Sequence, residues 1–437
     1  MRKLLLLAIA VLSVSMAMAV PAHPGTACVT QPDGSSLTIR LCGDEYLHFN
    51  TTADGYSVVQ RADGFFVYAR LEGGQLCPTD RVAHDEQARP AEEQVWLSQL
   101  GKYLTPQMDQ TVSGEQQAEL SRRATARQKA RTYDYNSFRG LIILVQYNDC
   151  AFSREDYAEV VNGMVNQENY PGYDNTGNGR YTGSVRDYFQ DNSFGVFTPE
   201  FDIVGPVTIN YSQYYANGTK NVSALTTAAI NAADSQVDFS LYDGDGDGMV
   251  DMIYFIFAGI GSNYTGNDSR LIWPHASFIT SMRKDGVYMG RYACSTELMG
   301  TQNWNILDGI GVICHEFSHV LGLMDLYDVD YATNGQSAHP GEWCIMATGP
   351  YLNNSRTPAG YSLYERYAIG FATPQPITEE GFYTLPPIGD NNVGYRMDSP
   401  VKREFFLIEN RQRTSKWDKF LRGNGMLVFR VESTNNR

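Results

Sequence analysis

A twelve-residue stretch at 314–325, Cys-His-Glu-Phe-Ser-His-Val-Leu-Gly-Leu-Met-Asp, constrains the fold of this chain more than any other feature. Residues four apart in an α-helix lie one above the other, so His315 and His319 are expected to point the same way. Two imidazoles in this arrangement can occupy two corners of a tetrahedral zinc site. Helical histidine pairs also occur as hydrogen-bonded core residues, so the zinc prediction depends on the residues around the pair.

The residues around the second histidine favour a catalytic zinc site over a structural one. Gly322 can adopt the positive φ that ends a helix and turns the chain back, which would bring Asp325 to the metal as third ligand. Three protein ligands leave the fourth corner open for water, and Glu316 is placed to act as the base for that water. Glu365, on a later predicted helix, is the alternative third ligand, less favoured because the turn to Asp325 is short.

The predicted active helix runs from about 306 to 321 and has two distinct faces. At 100° per residue, Phe317 lies about 160° from both histidines. The helix therefore carries a core face separate from its histidine face. The core face consists of Ile306, Ile310, Ile313, Phe317 and Val320.

The N-terminus predicts export. Arg2 and Lys3 precede the apolar run 4–14, and Ala-Met-Ala at 17–19 is typical of a signal-peptide cleavage site, so we assign 1–19 as a signal peptide. The apolar run is too short for a membrane span and no later segment is long enough, so we expect a secreted or surface protein without a transmembrane anchor. The formal charge of -15 argues against nucleic-acid binding.

The residues after the signal peptide predict a small β-rich unit. Strand-like runs at 36–41, 56–59 and 65–69 are separated by turn residues, which indicates an antiparallel arrangement. The polar segment 87–131 is predicted to be helical or loose, and it ends in a basic stretch at 122–131. That stretch is either a solvated linker or a processing site, and on the second interpretation 20–131 is a propeptide.

The rest of the chain predicts a catalytic domain at 132–372 and a β-rich C-terminal segment at 373–437. The continuous apolar runs at 140–147 and 253–257 are typical of buried central strands. The chain stops directly after a predicted strand, so the C-terminal segment is compatible with an incomplete unit. Further predicted elements are helices at 184–192, 222–234 and 362–369, a hairpin at 194–209, and strands at 404–409 and 425–432.

A second metal site is predicted in the acidic loop 243–251. Carboxylates at loop positions 1, 3 and 5, a backbone carbonyl at 7 and an acid at 9 match a calcium loop. Tyr254 stands where a regular calcium-binding helix pair has glutamate, so we expect a structural calcium loop that leads into a strand. The predicted ligands are Asp243, Asp245, Asp247, Met249 and Asp251.

The seven cysteines permit disulfides in an exported chain, and their odd number leaves at least one unpaired. We predict a disulfide between Cys294 and Cys314, which would tie the segment before the active helix to the helix itself. The alternative is that these cysteines are small buried hydrophobic residues.

The motif around His315, with a methionine turn at 343–349, resembles the metzincin-type zinc proteases and, more narrowly, the immune inhibitor A family of secreted bacterial metalloproteases. Supporting segments lie at 184–189, 272–275, 364–370 and 406–411. The resemblance implies that His315, His319 and Asp325 bind zinc, that Glu316 is the base, and that Met346 forms the floor beneath the metal. Astacin-like relatives place a transition-state tyrosine where this chain has Thr348, so that role is unassigned, with Tyr351 as one candidate.

We therefore predict an α+β fold, in which a metzincin-like domain with a twisted sheet and an active-site helix stands between the β-rich propeptide and the β-rich C-terminal segment. The predicted function is a secreted Zn²⁺-dependent endopeptidase that acts on proteins or peptides and is made as a latent precursor. The alternatives are a catalytically inactive calcium-dependent surface or binding protein on the same scaffold, and a metallohydrolase with a non-protein substrate. The latency ligand stays open among Cys28, Cys42, Cys77 and Asp85.

Overall fold

The strands in the described part of the chain form three sheets in this computed structural model. It describes residues 20–44, 47–107, 134–173, 180–214, 221–264, 268, 270–300, 306–327 and 339–432. The predicted signal peptide and the basic stretch 122–131 lie outside the described residues.

The N-terminal sheet has six strands in sequence order, each antiparallel to the next. Its core contains Leu37, Tyr68 and Leu97, and the last of these comes from helix α1 (Ala91–Leu97). The predicted small antiparallel unit is therefore confirmed. The strands are β1 (Ala27–Thr30), β2 (Ser36–Gly43), β3 (His48–Thr52), β4 (Ser57–Gln60), β5 (Phe66–Glu72) and β6 (Gln75–Val82).

The central sheet contains both parallel and antiparallel strands. Its strands are β7 (Gly140–Tyr147), β8 (Phe201–Ile209), β9 (Ile253–Ile260), β10 (His275–Lys284), β11 (Val287–Met299) and β12 (Ile306–Leu307). Their order is β10-β11-β9-β7-β8, with β12 paired to β11. Parallel pairing joins β7 to β8, β7 to β9, and β9 to β11, whereas β10 and β12 run antiparallel to β11. The two predicted buried strands are confirmed as β7 and β9.

Helices cover both faces of this sheet, and β9 is buried at every position for that reason. In the described residues, the helices after α1 are α2 (Tyr157–Asn166), α3 (Val185–Ser193), α4 (Val222–Ala233), α5 (Ile310–Val320), α6 (Leu363–Ile369) and α7 (Ile388–Asn391). One face of the sheet packs against α2, α3 and α5, and the opposite face packs against α4. The predicted helices at 184–192, 222–234 and 362–369 are confirmed within one or two residues.

One predicted element and one predicted helix start are wrong. The segment 194–209 is not a hairpin: Phe194 ends α3 in the left-handed region, and only 201–209 forms a strand, which pairs in parallel with β7. The active helix begins at Ile310 rather than 306, because Ile306 and Leu307 pair with the end of β11 as β12. The apolar residues that the sequence suggested as one face of a single helix thus belong to two elements, β12 and α5.

The predicted disulfide between Cys294 and Cys314 is also wrong, since both cysteines are buried and unbonded. Successive residues of a strand point to opposite faces of the sheet. Ala293 packs on the face that carries α5 and Cys314, whereas Cys294 packs into the core on the other side. The Cys294 sulfur lies 3.3 Å from Nδ1 of His275 on the neighbouring strand.

The C-terminal sheet is fixed to the rest of the protein by a buried arginine. Its strands, in the order in which they pair, are β13 (Gln375–Pro376), β14 (Tyr395–Asp398), β15 (Glu404–Arg411) and β16 (Gly425–Glu432). Arg411 is fully buried, pairs with Asp418 at 2.5 Å, and donates to the carbonyls of Trp343 (2.7 Å) and Gly360 (2.9 Å). Both predicted C-terminal strands are present.

Candidate metal and catalytic centre

Helix α5 and the turn after it bring the three predicted zinc ligands together. Nε2 of His315 lies 3.1 Å from Nε2 of His319, and Asp325 Oδ1 lies 3.2 and 3.3 Å from these two nitrogens. Gly322 has φ +96°, and its N–H donates to the His319 carbonyl at 2.8 Å. Because this conformation favours glycine, Gly322 is what lets the chain reverse so soon after the helix.

Each imidazole makes a hydrogen bond through Nδ1, and this bond determines which ring nitrogen is directed at Asp325. His315 Nδ1 donates to the carbonyl of Ile345 at 2.6 Å, and His319 Nδ1 donates to the carbonyl of Leu323 at 2.8 Å. A carbonyl oxygen only accepts, so each Nδ1 carries a proton, and Nε2 is the nitrogen that presents a lone pair when the imidazole is neutral. Two lone pairs and a carboxylate oxygen thus converge in a buried space, an arrangement that requires a cation between them.

The Asp325 carboxyl supports the same conclusion. Burial opposes its ionisation, yet the facing imidazoles in their protonated form, His319 first, lower the pKa of Asp325 below its usual value. A metal ion held against the carboxylate would act in the same direction. Asp325 Oδ1 is buried, and the two imidazole nitrogens approach it to 3.2 and 3.3 Å. Two imidazoles, one carboxylate and an open position fit a catalytic zinc ion.

The methionine turn supports the candidate ligands through its backbone. Met346 is fully buried in the same core as α5. The carbonyl of Ile345 accepts the bond from His315, and the carbonyl of Met346 accepts one from the N–H of Leu326 at 2.7 Å. This turn therefore positions both the first histidine and the loop that carries the aspartate, a role that sequence reasoning missed.

Glu365, the alternative third ligand, lies outside this group and is occupied elsewhere. One carboxylate oxygen accepts from the N–H of Met346 (3.1 Å) and the thiol of Cys344 (2.9 Å). The other accepts from the N–H of Ser362 at 2.7 Å and completes a capping box at the start of α6. The Ser-x-x-Glu spacing of Ser362 and Glu365 is a sequence signal for this structural role.

The proposed base contacts a distant part of the chain. Oε1 of the buried Glu316 accepts a hydrogen bond from the backbone N–H of Val20 at 2.9 Å, across 296 residues of sequence. The hydroxyl of Tyr351 donates to the carbonyl of Pro21, the next residue, at 2.6 Å. Burial raises the pKa of Tyr351 well above its usual value, so its hydroxyl keeps its proton at neutral pH. Glu316 and Tyr351 thus contact two adjacent residues, Val20 and Pro21.

The predicted latency candidates are not part of this contact. Asp85 accepts hydrogen bonds from the backbone and hydroxyl of Thr38 (2.8 and 2.9 Å), within the N-terminal unit. Among the described residues, the atoms that converge with the histidine pair belong to Asp325 and to no cysteine.

The acidic loop brings three of its predicted ligand side chains together. The carboxylate oxygens of Asp243, Asp245 and Asp247 lie within 4.8 Å of one another. Gly248 has φ +83°, and β9 comes after the loop as expected. Asp251 is placed differently, because one of its oxygens accepts a hydrogen bond from the N–H of Gly244 at 2.9 Å.

Comparison with known proteins gives the same family as the motif. Residues 141–368 match the family described as immune inhibitor A peptidase M6, catalytic domain. Immune inhibitor A from Bacillus thuringiensis subsp. alesti is 25% identical over 288 residues, which cover 54% of this chain and 40% of the relative. The chain thus spans well under half of that relative's length. The matched family region covers β7 to α6 and contains the histidine pair, the aspartate and the methionine turn, and the chain belongs to the immune inhibitor A family of peptidases.

Proposed function

We propose that this protein is a secreted zinc-dependent endopeptidase that hydrolyses peptide bonds in proteins and is made as a latent precursor. The observation that carries the proposal is the convergence of two imidazole lone pairs and the Asp325 carboxylate next to a buried glutamate. Membership of a peptidase family supports proteins as the substrate class. In the described residues no helix is long and apolar enough to cross a membrane.

The side chains have separate roles in the proposed reaction. A zinc ion held by His315, His319 and Asp325 would acidify a water molecule and polarise the carbonyl of the scissile bond. Glu316 takes the proton of the attacking water and passes it to the leaving amine. Its distance of 2.9 Å from a backbone nitrogen of an extended segment is suitable for the second transfer.

Tyr351 is our candidate for holding the peptide. Its protonated hydroxyl donates to a main-chain carbonyl one residue away from the nitrogen at Glu316. A donor at this position can align an extended substrate with the base. Thr348, at the position of the tyrosine in astacin-like relatives, lacks a phenol for this role.

We further propose that residues 1–19 are a signal peptide, 20–131 a propeptide, 132–372 the catalytic domain and 373–437 a β-rich C-terminal segment. Cleavage within the basic stretch 122–131 would separate the propeptide from the enzyme. The contact between Val20 and Glu316 supports this division, because the residue that would follow the signal peptide lies against the proposed base.

Removal of zinc is expected to abolish casein cleavage by the processed protein, because the metal ion would acidify the water and polarise the scissile carbonyl. Addition of zinc should restore the cleavage. Casein cleavage and bound metal are measured before chelation, after chelation and after zinc is returned. Cleavage that survives loss of the metal would contradict the proposal. Bound zinc without any proteolysis would instead favour the inactive binding protein or a hydrolase with another substrate.

We propose a structural calcium ion in the loop of Asp243, Asp245 and Asp247, with the carbonyl of Met249 as a further ligand, since three clustered carboxylates repel one another without a cation. Calcium at about 100 times its Kd should stabilise the fold by about 2.7 kcal/mol and raise Tm. Asp245→Asn should reduce this shift. Asp63→Asn, in an exposed turn of the N-terminal unit, is the control and should not. Equal Tm with and without calcium would refute this site.

A further inference from the structure

Asp308 is a buried carboxyl that lies between β12 and α5 and is only 5% exposed. Its carboxylate accepts from the backbone N–H of Gly309 at 2.7 Å and from the hydroxyl of Tyr264 at 3.1 and 3.2 Å. Burial raises the pKa of Asp308 to about 7, although these donors oppose the shift. Because a buried carboxylate is costly without such donors, Asp308 and the hydroxyl of Tyr264 hold each other in place.

The short segment that carries Tyr264 connects Asp308 to Tyr351. The rings of Tyr264 and Tyr351 meet edge to face, with their centroids 5.9 Å apart. The side-chain amide of Asn263, which is completely buried, donates to the hydroxyl oxygen of Tyr351 at 3.5 Å. A hydroxyl that accepts from an amide directs its own proton elsewhere. Asn263 and Tyr264 therefore orient both the hydroxyl and the ring of Tyr351.

The loop that carries Tyr351, residues 349–356, has an unfavourable backbone. Asn353, Asn354 and Ser355 have φ values of +51°, +53° and +61°. Residues other than glycine rarely adopt this left-handed conformation, and it persists only where the surrounding structure holds it. A run of three such residues means that the loop 349–356 needs an anchor.

The first turn of α5 supplies that anchor. The carbonyl of Ser355 accepts from the N–H of Gly311 at 2.8 Å. A Cβ atom on Gly309 would lie 2.1 Å from the same carbonyl oxygen, and one on Gly311 would lie 1.9 Å from the carbonyl oxygen of Pro350. Since only glycine permits so close an approach, the loop packs directly on the backbone of the active helix.

We propose that Asp308 is a positioning residue for peptide hydrolysis, which holds Tyr351 in place through Tyr264 and the loop 349–356. This inference rests on the proposed function, in which Tyr351 aligns the peptide with the base. Asp308 acts through Tyr264 and the loop rather than on the reacting atoms. Loss of the contact between Asp308 and Tyr264 should therefore impair catalysis while the zinc ligands stay intact.

The first test is Tyr264→Phe, which removes the hydroxyl and keeps the ring. The measurement is kcat/KM of the processed enzyme, made from the full-length chain, with an internally quenched peptide. We expect kcat/KM to fall by about tenfold or more at unchanged zinc content, because a small displacement of an aligning group is costly. In a Tyr351→Phe background the same substitution should change kcat/KM by no more than about twofold, because its effect passes through Tyr351. Effects that multiply in the double variant would overturn the inference.

The matched control is Tyr242→Phe, which removes a hydroxyl that donates to Asp202 at 2.9 Å. Tyr242 packs in the core on the opposite face of the central sheet, so its variant should keep the wild-type kcat/KM. Asp308→Ala should show the same loss as Tyr264→Phe. Asp308→Asn keeps an oxygen acceptor of the same shape and should retain most of the activity. Wild-type kcat/KM in both Tyr264→Phe and Asp308→Ala would contradict a positioning role.

Hydrogen exchange tests the anchoring of the loop independently of proteolysis. Amide exchange in the peptide that covers 349–356 should be about tenfold faster in Tyr264→Phe than in the wild type, and unchanged in Tyr242→Phe. Exchange at the wild-type rate in Tyr264→Phe would overturn the inference whatever the kinetics. Failure of the proposed function is a different result, since the protein would then show this difference in exchange but no zinc-dependent proteolysis.

Discussion

Replacing Glu316 with glutamine is expected to lower kcat for peptide hydrolysis by about 10²- to 10⁴-fold, because an amide of the same size cannot take the proton of the attacking water. Glu316 is completely buried on α5, next to His315 in sequence, and no bulk is gained or lost by the substitution. The loss should therefore appear in kcat, with the fold and the zinc content retained. The measurement is kcat of the processed enzyme with an internally quenched peptide.

The control for this variant is Glu159→Gln, which changes a glutamate on the exposed side of α2. Its kcat should match that of the wild type. A Glu316→Gln enzyme with wild-type kcat would exclude Glu316 as the base. A variant that has lost its zinc would show instead that the residue holds the metal site together.

Replacing Arg411 with alanine is expected to destabilise the protein by about 3–5 kcal/mol, because it leaves buried carboxylates without their counter-charge. Arg411 pairs with Asp418 at 2.5 Å and Glu409 at 3.3 Å, and all three side chains are almost completely buried. Burial already raises the pKa of Glu409, so removal of the guanidinium would penalise its ionised form further. The free energy of unfolding is measured in urea.

The effect should reach the metal site, because Arg411 also donates to the carbonyl of Trp343, the first residue of the methionine turn. We therefore expect weaker zinc retention along with the lower stability. Arg413→Ala is the control, since Arg413 is exposed and should change stability by no more than about 0.5 kcal/mol. Equal stability of Arg411→Ala and the control would show that this cluster does not anchor the C-terminal sheet.

The parts of the site that could be predicted are those set by local chain geometry. The helical period places His315 and His319 on one side, and the positive φ of Gly322 brings Asp325 back to them. The acidic loop is also set by local chain geometry, because three carboxylates at alternate positions converge in a single turn. The continuous apolar runs likewise predict β7 and β9, since a strand covered on both faces has no polar side.

The contacts that could not be predicted join residues far apart in sequence. No periodicity places the Ile345 carbonyl behind His315 or the backbone of Val20 at Glu316. The hairpin prediction for 194–209 is wrong because the parallel partner of this segment, β7, lies well before it in the chain. The disulfide prediction is wrong for a similar reason, because the face of β11 on which Cys294 lies depends on a register that sequence spacing does not give.

The central claim is that the histidine pair and Asp325 hold a zinc ion that works with Glu316 to hydrolyse peptide bonds. The most direct test is to measure bound zinc and casein cleavage on the same processed preparations of the wild type and Glu316→Gln. The account predicts equal zinc in the two proteins and cleavage by the wild type alone. Zinc in both proteins without any Glu316-dependent proteolysis would contradict it.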